Sequence, residues 1–289
     1  MLKLAMKPFV RPFVRQRPST YAVAIVVPFS DAVDLTDDEI ISMRQLCYFL
    51  PKYKKFILAP TGYSQEYEGF CVKRFSTKFF GTAANHGKLL SRPMFYKEFL
   101  DYEYIFFYHL DSLVFSDRLH EWCGAGVDYI GSPWIRCDES IWVDKDRVGN
   151  GGFCLLRVES AIKVLTNRYL DRPSTFWFDL FTAYTPCWFI SLMNTIEAHI
   201  PQSWLLTRML QEWRETENPS KYNRNNDVFW SDMASHYLPE FTVASLEQGL
   251  RFAFEVSPKT CFKMNGGRMP FGCHAWTKYD RSLWEKFIL

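Results

Sequence analysis

A chain of 289 residues is long enough for one large domain or two small ones. Hydrophobic residues make up 48% of it and aromatic residues 18%, a composition that argues against intrinsic disorder. The formal net charge of +2 is nearly balanced, so bulk electrostatics does not indicate a nucleic-acid-binding protein, and we expect no nucleic-acid partner.

The N-terminal residues 1–20 carry five basic side chains and no acidic one. Prolines and charges interrupt the segment, so it lacks the apolar core of a signal peptide and is predicted to be a basic arm. The arm is either solvated or in contact with an anionic membrane surface. We expect a cytoplasmic protein, peripheral to the inner face of the membrane if the arm binds lipid, since no stretch clearly predicts a spanning helix.

The eight cysteines have irregular spacings and include no Cys-x-x-Cys pair. This pattern is typical of reduced thiols in a cytosolic protein, and we expect neither disulfides nor a zinc site.

Strands and helices alternate along the first half of the chain. Thr36 and Glu39 form a capping box, which predicts a helix from Asp37 to about Phe49. The other predicted elements are strands at 21–29, 56–59, 71–75 and 104–108, a loop at 79–88 and a helix at 89–100. Such alternation predicts an α/β fold, an αβα sandwich with a mostly parallel central sheet.

The second half is less regular. Residues 172–217 are rich in Trp, Phe and Leu and are predicted to be a largely helical insertion that serves as core, lid or interface. The remaining predictions are helices at 119–123, 159–169, 228–237 and 280–289, strands near 129–135, 153–158, 241–244 and 252–256, and loops at 138–146 and 266–274.

The central strand, Tyr104–Tyr108, is a continuous apolar run typical of a strand buried on both faces. It ends at His109-Leu110-Asp111, and open α/β sheets bind ligands outside the carboxyl ends of their strands. His109 and Asp111 lie two residues apart on an extended chain, so they point to the same side and can present two ligands to a cation. The alternative is that Asp111 only caps the turn after the strand.

His274 lies in the segment PFGCHAW, after a glycine-rich loop near the C-terminus. If this imidazole reaches Asp111, about three ligands are available for Mn²⁺ or a similar ion. The alternative is a structural histidine.

Three further segments contain candidate ligand-binding residues. Asn150, Gly151 and Gly152 form a glycine turn that either lets the backbone approach a ligand closely or is a plain tight turn. Asp227 precedes a predicted helix and is its N-cap, a general base, or both. Lys88, at the start of the predicted helix before the central strand, is either a solvated lysine or a phosphate contact. Motifs of serine hydrolases and zinc proteases are absent from the sequence.

The order of these segments resembles nucleotide-sugar-dependent glycosyltransferases of the GT-A fold, and a bacterial domain-of-unknown-function family grouped with them. The resemblance extends over roughly residues 20–280, and the segments that carry it are KLLSRPMFYKEFLDYEYIFFYHLDSLVF, DYIGSPW, VGNGGFCLLR, NNDVFWS, FAFE and PFGCHAW. It implies a single catalytic domain at 21–289, with a nucleotide-binding half at 21–115 and an acceptor half at 116–289 that contains an insertion at about 172–222.

The resemblance also implies roles for individual residues. Asp111 matches the last aspartate of the Asp-x-Asp motif, which holds the metal and the donor diphosphate, and His109 stands where the first aspartate is usual. His274 resembles the histidine that closes the metal site, and Lys88 the basic residue near the nucleotide. The other implied donor-site residues are Pro28, Phe29 and Ser30 at the base and ribose, and Asn150, Gly151 and Gly152 beside the donor sugar.

Asp227 resembles the second acid of a Glu-Asp pair, the base in inverting members, with Asn226 in place of the glutamate. The implied function is transfer of a sugar from a nucleotide-sugar, preferably a UDP-sugar, to a glycan or lipid-linked acceptor of polysaccharide or lipopolysaccharide assembly. Mn²⁺ or Mg²⁺ is the expected cofactor. The alternatives are an inactive nucleotide-sugar or glycan-binding module, kept open by His109 and Asn226, and a nucleotidyltransferase, although the first strand ends in PFSDAVD, without the glycines that class uses.

Overall fold

The structure, a computed structural model, describes residues 22–29, 35–170 and 228–289. The predictions for the basic arm, Ser30, the insertion at 172–222, Asn226 and Asp227 lie outside the described residues.

The strands and helices are short, and several strands contain only two residues. The strands are β1 (Val23–Pro28), β2 (Lys54–Pro60), β3 (Phe70–Phe75), β4 (Tyr104–Tyr108), β5 (Leu113–Val114), β6 (Tyr129–Gly131), β7 (Pro133–Trp134), β8 (Arg147–Val148), β9 (Phe153–Arg157), β10 (Ala253–Phe254) and β11 (Gly272–Cys273). The α-helices are α1 (Asp37–Phe49), α2 (Ala83–Leu90), α3 (Pro93–Lys97), α4 (Leu119–Cys123), α5 (Val158–Leu170), α6 (Ala234–Tyr237), α7 (Leu246–Phe252), α8 (Pro258–Met264) and α9 (Arg281–Trp284). A π-helical turn, Phe229–Met233, precedes α6.

Among the described residues, the main sheet has six strands in the order β3-β2-β1-β4-β9-β6. Strands β3, β2, β1 and β4 are parallel, and β9 runs antiparallel between β4 and β6. The prediction of a mostly parallel α/β sheet is therefore confirmed. Every residue of β4 is buried and belongs to the large apolar core, as expected for a strand that is covered on both faces.

The described part of the chain also contains two smaller sheets. One has the order β10-β11-β5, with β10 parallel and β5 antiparallel to β11, and the other is the antiparallel pair β7-β8. Side chains of all three strands belong to a second core cluster, which also contains Trp276 and Trp284. The three-stranded sheet matters because it sets the register of the segment that precedes β5 and of the segments that follow β10 and β11.

The capping box of α1 is confirmed. Thr36 Oγ1 accepts from Glu39 N at 3.3 Å, and Glu39 Oε2 accepts from Thr36 N at 2.8 Å. This reciprocal cap satisfies amides that the first helical turn leaves without partners, which explains why α1 begins where the sequence predicts.

The predicted loop at 79–88 is wrong, because α2 begins at Ala83. Thr82 is its N-cap, with Oγ1 accepting from Asn85 N at 3.2 Å, and the helix contains Gly87. The predicted helix at 89–100 is also interrupted. Arg92 takes an extended conformation before Pro93, which excludes helical backbone at the preceding residue and starts α3.

Three C-terminal predictions are corrected as well. Residues 241–244 contribute one isolated bridge, from Val243 to Tyr129, rather than a strand. The predicted strand at 252–256 is limited to β10 because Phe252 ends α7. The terminal helix is the short α9 followed by a 3₁₀ turn, Glu285–Phe287. Within the described ranges, no helix has the length and apolarity needed to cross a membrane.

Candidate metal and ligand site

The carboxyl end of β4 and the start of β9 lie at the same edge of the main sheet. Tyr108, the last residue of β4, pairs with Phe153, the first residue of the antiparallel β9. The next residue after β4 is held there as well, since His109 N donates to Gly152 O at 2.8 Å. The fold thus places the His109–Asp111 segment beside the glycine turn, as expected for ligand-binding segments of an α/β sheet. The segment is a hydrogen-bonded turn and not the extended chain predicted from the sequence.

The short three-stranded sheet brings His274 to this edge. Cys273 in β11 pairs with Leu113 in β5, so the residue after β11 lies against the residues that precede β5. The backbone is fixed on both sides of the ring, because His274 N donates to Phe254 O at 2.9 Å and Trp276 N donates to Asp111 O at 3.1 Å.

His109, Asp111 and His274 form a cluster, called here the His–Asp–His cluster. One ligand atom from each residue lies within 4.8 Å of the other two. The Nε2 atoms of both histidines are buried and have no aligned hydrogen-bond partner among the described residues. His274 Nε2 lies 3.1 Å from Asp111 Oδ1, an ion-pair distance without hydrogen-bond alignment. Two buried nitrogens without aligned partners, one of them against a carboxylate, fit a metal ion, which would satisfy all three groups.

The charges in the cluster are strongly coupled. Burial lowers the pKa of His109 to about 3, helped by the nearby positive charge of His274, so this imidazole is neutral. Burial also opposes the charge on His274, but contacts with Asp111 and Glu255 outweigh it and raise its pKa to about 10. For Asp111, burial favours the neutral acid, yet His274 and His109 lower the pKa to about 2. The cluster therefore contains a carboxylate, a neutral imidazole and an imidazole that carries a proton in the absence of a metal.

A second carboxylate lies behind His274. Glu255 follows β10, and because Phe254 pairs with Cys273, it lies alongside His274. Its Oε1 is 3.1 Å from His274 Nδ1, and its Oε2 accepts from Trp134 Nε1 at 3.0 Å. Sequence reasoning missed this role, although an acid at the end of the apolar run FAFEV was a signal that it had a buried partner.

The glycine turn is tight, and its backbone lies close against the ring of His274. Asn150 has a φ of 55°, in the left-handed region, and its Oδ1 accepts from Gly152 N at 2.8 Å. A Cβ on Gly152 would lie 2.1 Å from His274 Nε2, so only glycine leaves room for this ring. Asn150 therefore shapes the turn, and Gly152 lets the backbone pass against the cluster. Gly151, half-buried, lies between them.

A third histidine, His86 in α2, was not recognised from the sequence. Its ring centroid lies 6.0 Å from that of His109, edge to face, and its Nε2 is buried without a hydrogen-bond partner in the described part of the chain. Burial lowers the pKa of His86 to about 4, so it adds a neutral ring beside the cluster.

The remaining predicted donor-site residues have no contact with the cluster among those found in the described part of the chain. Pro28 ends β1, and Phe29 is buried, with its ring centroid 6.2 Å from that of Tyr63 and 5.3 Å from that of Tyr67. The Phe29 ring packs edge to face against these two tyrosines. Lys88 lies exposed in the last turn of α2 and not, as predicted, at the start of a helix. No hydrogen bond or ion pair among the described residues joins Lys88 to the cluster.

Several solved structures with a similar chain course are described as glycosyltransferases. The apo-form glycosyltransferase GlyE of Streptococcus pneumoniae TIGR4 matches with 12% identity and a TM-score of 0.43 over 92% of this chain, which spans 60% of the length of that protein. The galactosyltransferase LgtC, in complex with donor and acceptor sugar analogues, matches with 12% identity and a TM-score of 0.48 over 91% of this chain and 93% of its own.

A glycosyltransferase involved in glycosylation of the major capsid of PBCV-1 has 9% identity and a TM-score of 0.40 over 92% of this chain and 98% of its own. TM-scores below 0.5 at such identities are too low to assign an activity. A search of curated protein sequences finds no significant match. The family profile described as "Protein of unknown function (DUF5672)" matches residues 69–274, more than two thirds of the sequence, and the chain therefore belongs to that family.

Proposed function

We propose that this protein is a metal-dependent glycosyltransferase that moves a sugar from a nucleotide-sugar, preferably a UDP-sugar, to a glycan or lipid-linked acceptor. The observation that carries the proposal is the His–Asp–His cluster at the carboxyl edge of β4, where two imidazoles with buried, unpartnered nitrogens lie beside one carboxylate. This edge is where open α/β sheets bind their ligands. The sequence resemblance to GT-A glycosyltransferases supports the same reaction class.

The chemistry of the cluster favours Mn²⁺ over Mg²⁺. Mg²⁺ prefers oxygen ligands, whereas two imidazoles with one carboxylate suit a borderline transition metal. Only three protein ligands are available in the described residues, which leaves coordination positions for a diphosphate. When bound, the ion supplies positive charge that stabilises the departing nucleoside diphosphate.

Asp227 is the proposed base. It accepts the proton of the acceptor hydroxyl as the new bond from the acceptor oxygen to the anomeric carbon forms and the bond from that carbon to the diphosphate breaks. A single displacement of this kind inverts the anomeric configuration. Lys88 is proposed to contact the diphosphate. The proposed contacts of the nucleoside are Pro28, Phe29 and Ser30, and those of the donor sugar are Asn150, Gly151 and Gly152.

A thermal-shift screen tests the donor site. Wild type and Asp111→Ala are heated with UDP, GDP, CMP and TDP, each without metal, with Mn²⁺ and with Mg²⁺. A ligand that binds only the folded state raises the Tm, and a concentration of 100 times Kd contributes about 2.7 kcal/mol. The control is Asp117→Ala, which removes an exposed carboxylate paired with Lys52 and should leave the shifts unchanged.

We expect UDP with Mn²⁺ to stabilise wild type and the control but not Asp111→Ala. If no nucleotide shifts wild type under any condition, the donor-site assignment is wrong. Release of UDP from UDP-sugars then separates an enzyme from a binding module. Binding without UDP release in the presence of candidate acceptors would favour the inactive module, which the histidine at position 109 keeps as the alternative.

A further inference from the structure

We propose that Glu255 is a positioning residue that holds His274 in the one tautomer and ring orientation able to ligate a metal. The inference rests on the proposed metal site and extends it to a residue outside the ligand set. Metal-bound histidines commonly donate their other ring N–H to a carboxylate, which fixes the ring and increases its basicity as a ligand.

The position of Glu255 follows from the strand register. Parallel pairing of Phe254 with Cys273 places Glu255 and His274 side by side after their strands, and His274 N donates to Phe254 O at 2.9 Å. Glu255 is 8% exposed, so bulk water compensates little of the cost of burying its carboxylate. A carboxylate buried this deeply needs specific donors, and Trp134 and His274 supply them.

Trp134 determines which carboxylate oxygen of Glu255 faces His274. An indole N–H can only donate, so Oε2 of Glu255 must accept from it. The other oxygen, Oε1, then faces His274 Nδ1 and accepts its N–H. With the proton on Nδ1, the Nε2 atom of the neutral ring keeps its lone pair on the side of Asp111.

Trp134 is itself fixed, so the carboxylate does not rotate freely. A Cβ on Gly149 would lie 2.5 Å from the indole ring, which shows that the glycine backbone packs directly on one side of the ring. The guanidinium of Arg147 lies 5.2 Å from the ring centroid. The indole is buried in a small apolar cluster with Val143 and Val256. The order of contacts is thus Trp134, Glu255, His274 and then Asp111.

The test uses Glu255→Gln and the double variant Trp134→Phe/Glu255→Gln, with Mn²⁺ affinity measured by titration calorimetry and Mn²⁺ EPR. In the single variant, the amide oxygen turns to the indole N–H, so the amide NH₂ faces His274 Nδ1 and forces the proton onto Nε2. We expect Mn²⁺ affinity to fall about 10- to 100-fold. In the double variant the amide is free to turn its oxygen to Nδ1, and we expect much of the affinity to return.

Matched controls are Glu247→Gln and Trp142→Phe, both at exposed positions, which should bind Mn²⁺ like wild type. Metal-free melting curves of all variants report on folding. If folded Glu255→Gln binds Mn²⁺ with unchanged affinity, the inference about Glu255 is wrong, while the proposed metal site is unaffected. A double variant that binds no better than Glu255→Gln also overturns it, since a purely structural role predicts added damage. Wild type that binds no Mn²⁺ overturns the metal site and the inference together.

A measurement on wild type covers the case in which the variants misfold. With diamagnetic Zn²⁺ bound, long-range ¹⁵N–¹H spectra should show the His274 proton on Nδ1 and the metal on Nε2. A proton on Nε2 would contradict the assignment.

Discussion

Replacing Gly152 with alanine tests the packing of the backbone against the candidate metal site. The added Cβ would lie 2.1 Å from His274 Nε2, and ordinary contact begins near 3.4 Å, so the ring must retreat by more than 1 Å. The backbone cannot yield easily, because Gly152 N donates to Asn150 Oδ1 at 2.8 Å and Gly152 O accepts from His109 N at 2.8 Å. Ligand distances tolerate about 0.2 Å, so Mn²⁺ binding should be abolished.

Overpacking of this kind costs about 1–3 kcal/mol, which lowers the Tm by roughly 2–10 °C for a chain of this length. Calorimetric titration with Mn²⁺ and metal-free melting curves measure the two effects. Gly87→Ala is the matched control, because nothing lies within 4 Å of a Cβ there and the residue is helical. That change should stabilise the protein by about 0.5–1 kcal/mol and leave Mn²⁺ binding unchanged. Mn²⁺ affinity in Gly152→Ala within a factor of about three of wild type would refute the reasoning.

Three other predictions concern charge and folding. Metal-free protein should lose stability as pH rises from about 6.5 toward about 10, because His274 keeps a proton in the folded protein that the unfolded chain has released. His274→Asn should flatten this part of the Tm–pH curve. An unchanged curve would contradict the assigned pKa of His274. Phe106→Ala should lower the free energy of unfolding, measured in urea, by about 3–5 kcal/mol, because Phe106 is fully buried with its ring centroid 4.8 Å from that of Phe153. The control Leu100→Ala, at an exposed position, should lower it by less than about 0.5 kcal/mol. Equal losses in the two variants would mean that the core is misplaced. Thr36→Ala should cost about 1 kcal/mol by loss of the cap and Thr36→Ser much less, and equal stability of the two would refute the capping role.

The parts of the fold that were predictable have strong local signals. The capping box at Thr36 defined α1, and the continuous apolar run at Tyr104–Tyr108 defined the central strand and its burial. The failures lie where local signals conflict. Gly87 concealed α2, whose start depends on the Thr82 cap, and the apolar pattern of 89–100 concealed the break that Pro93 imposes.

The three residues of the His–Asp–His cluster were predictable as candidate ligands, but the groups that surround them were not. The sequence predicted that His109 and Asp111 share one side of an extended chain, whereas a turn after β4 brings them together, and His274 lies beside them as the hypothesis required. Glu255 and His86 could not be assigned from the sequence, because their contacts depend on strand register and on a helix that local patterns did not reveal.

The three-stranded sheet that positions Asp111, Glu255 and His274 has strands of only two residues each, β5, β10 and β11. Side chains alternate between the two faces of a strand, so one inserted or deleted residue beside β11 would turn His274 away from Asp111 while leaving the composition almost unchanged. The spacing between Phe271 and His274 is consequently more restrictive than the identity of the neighbouring side chains. Substitutions on the outer face of this segment should be tolerated where a change in its length is not.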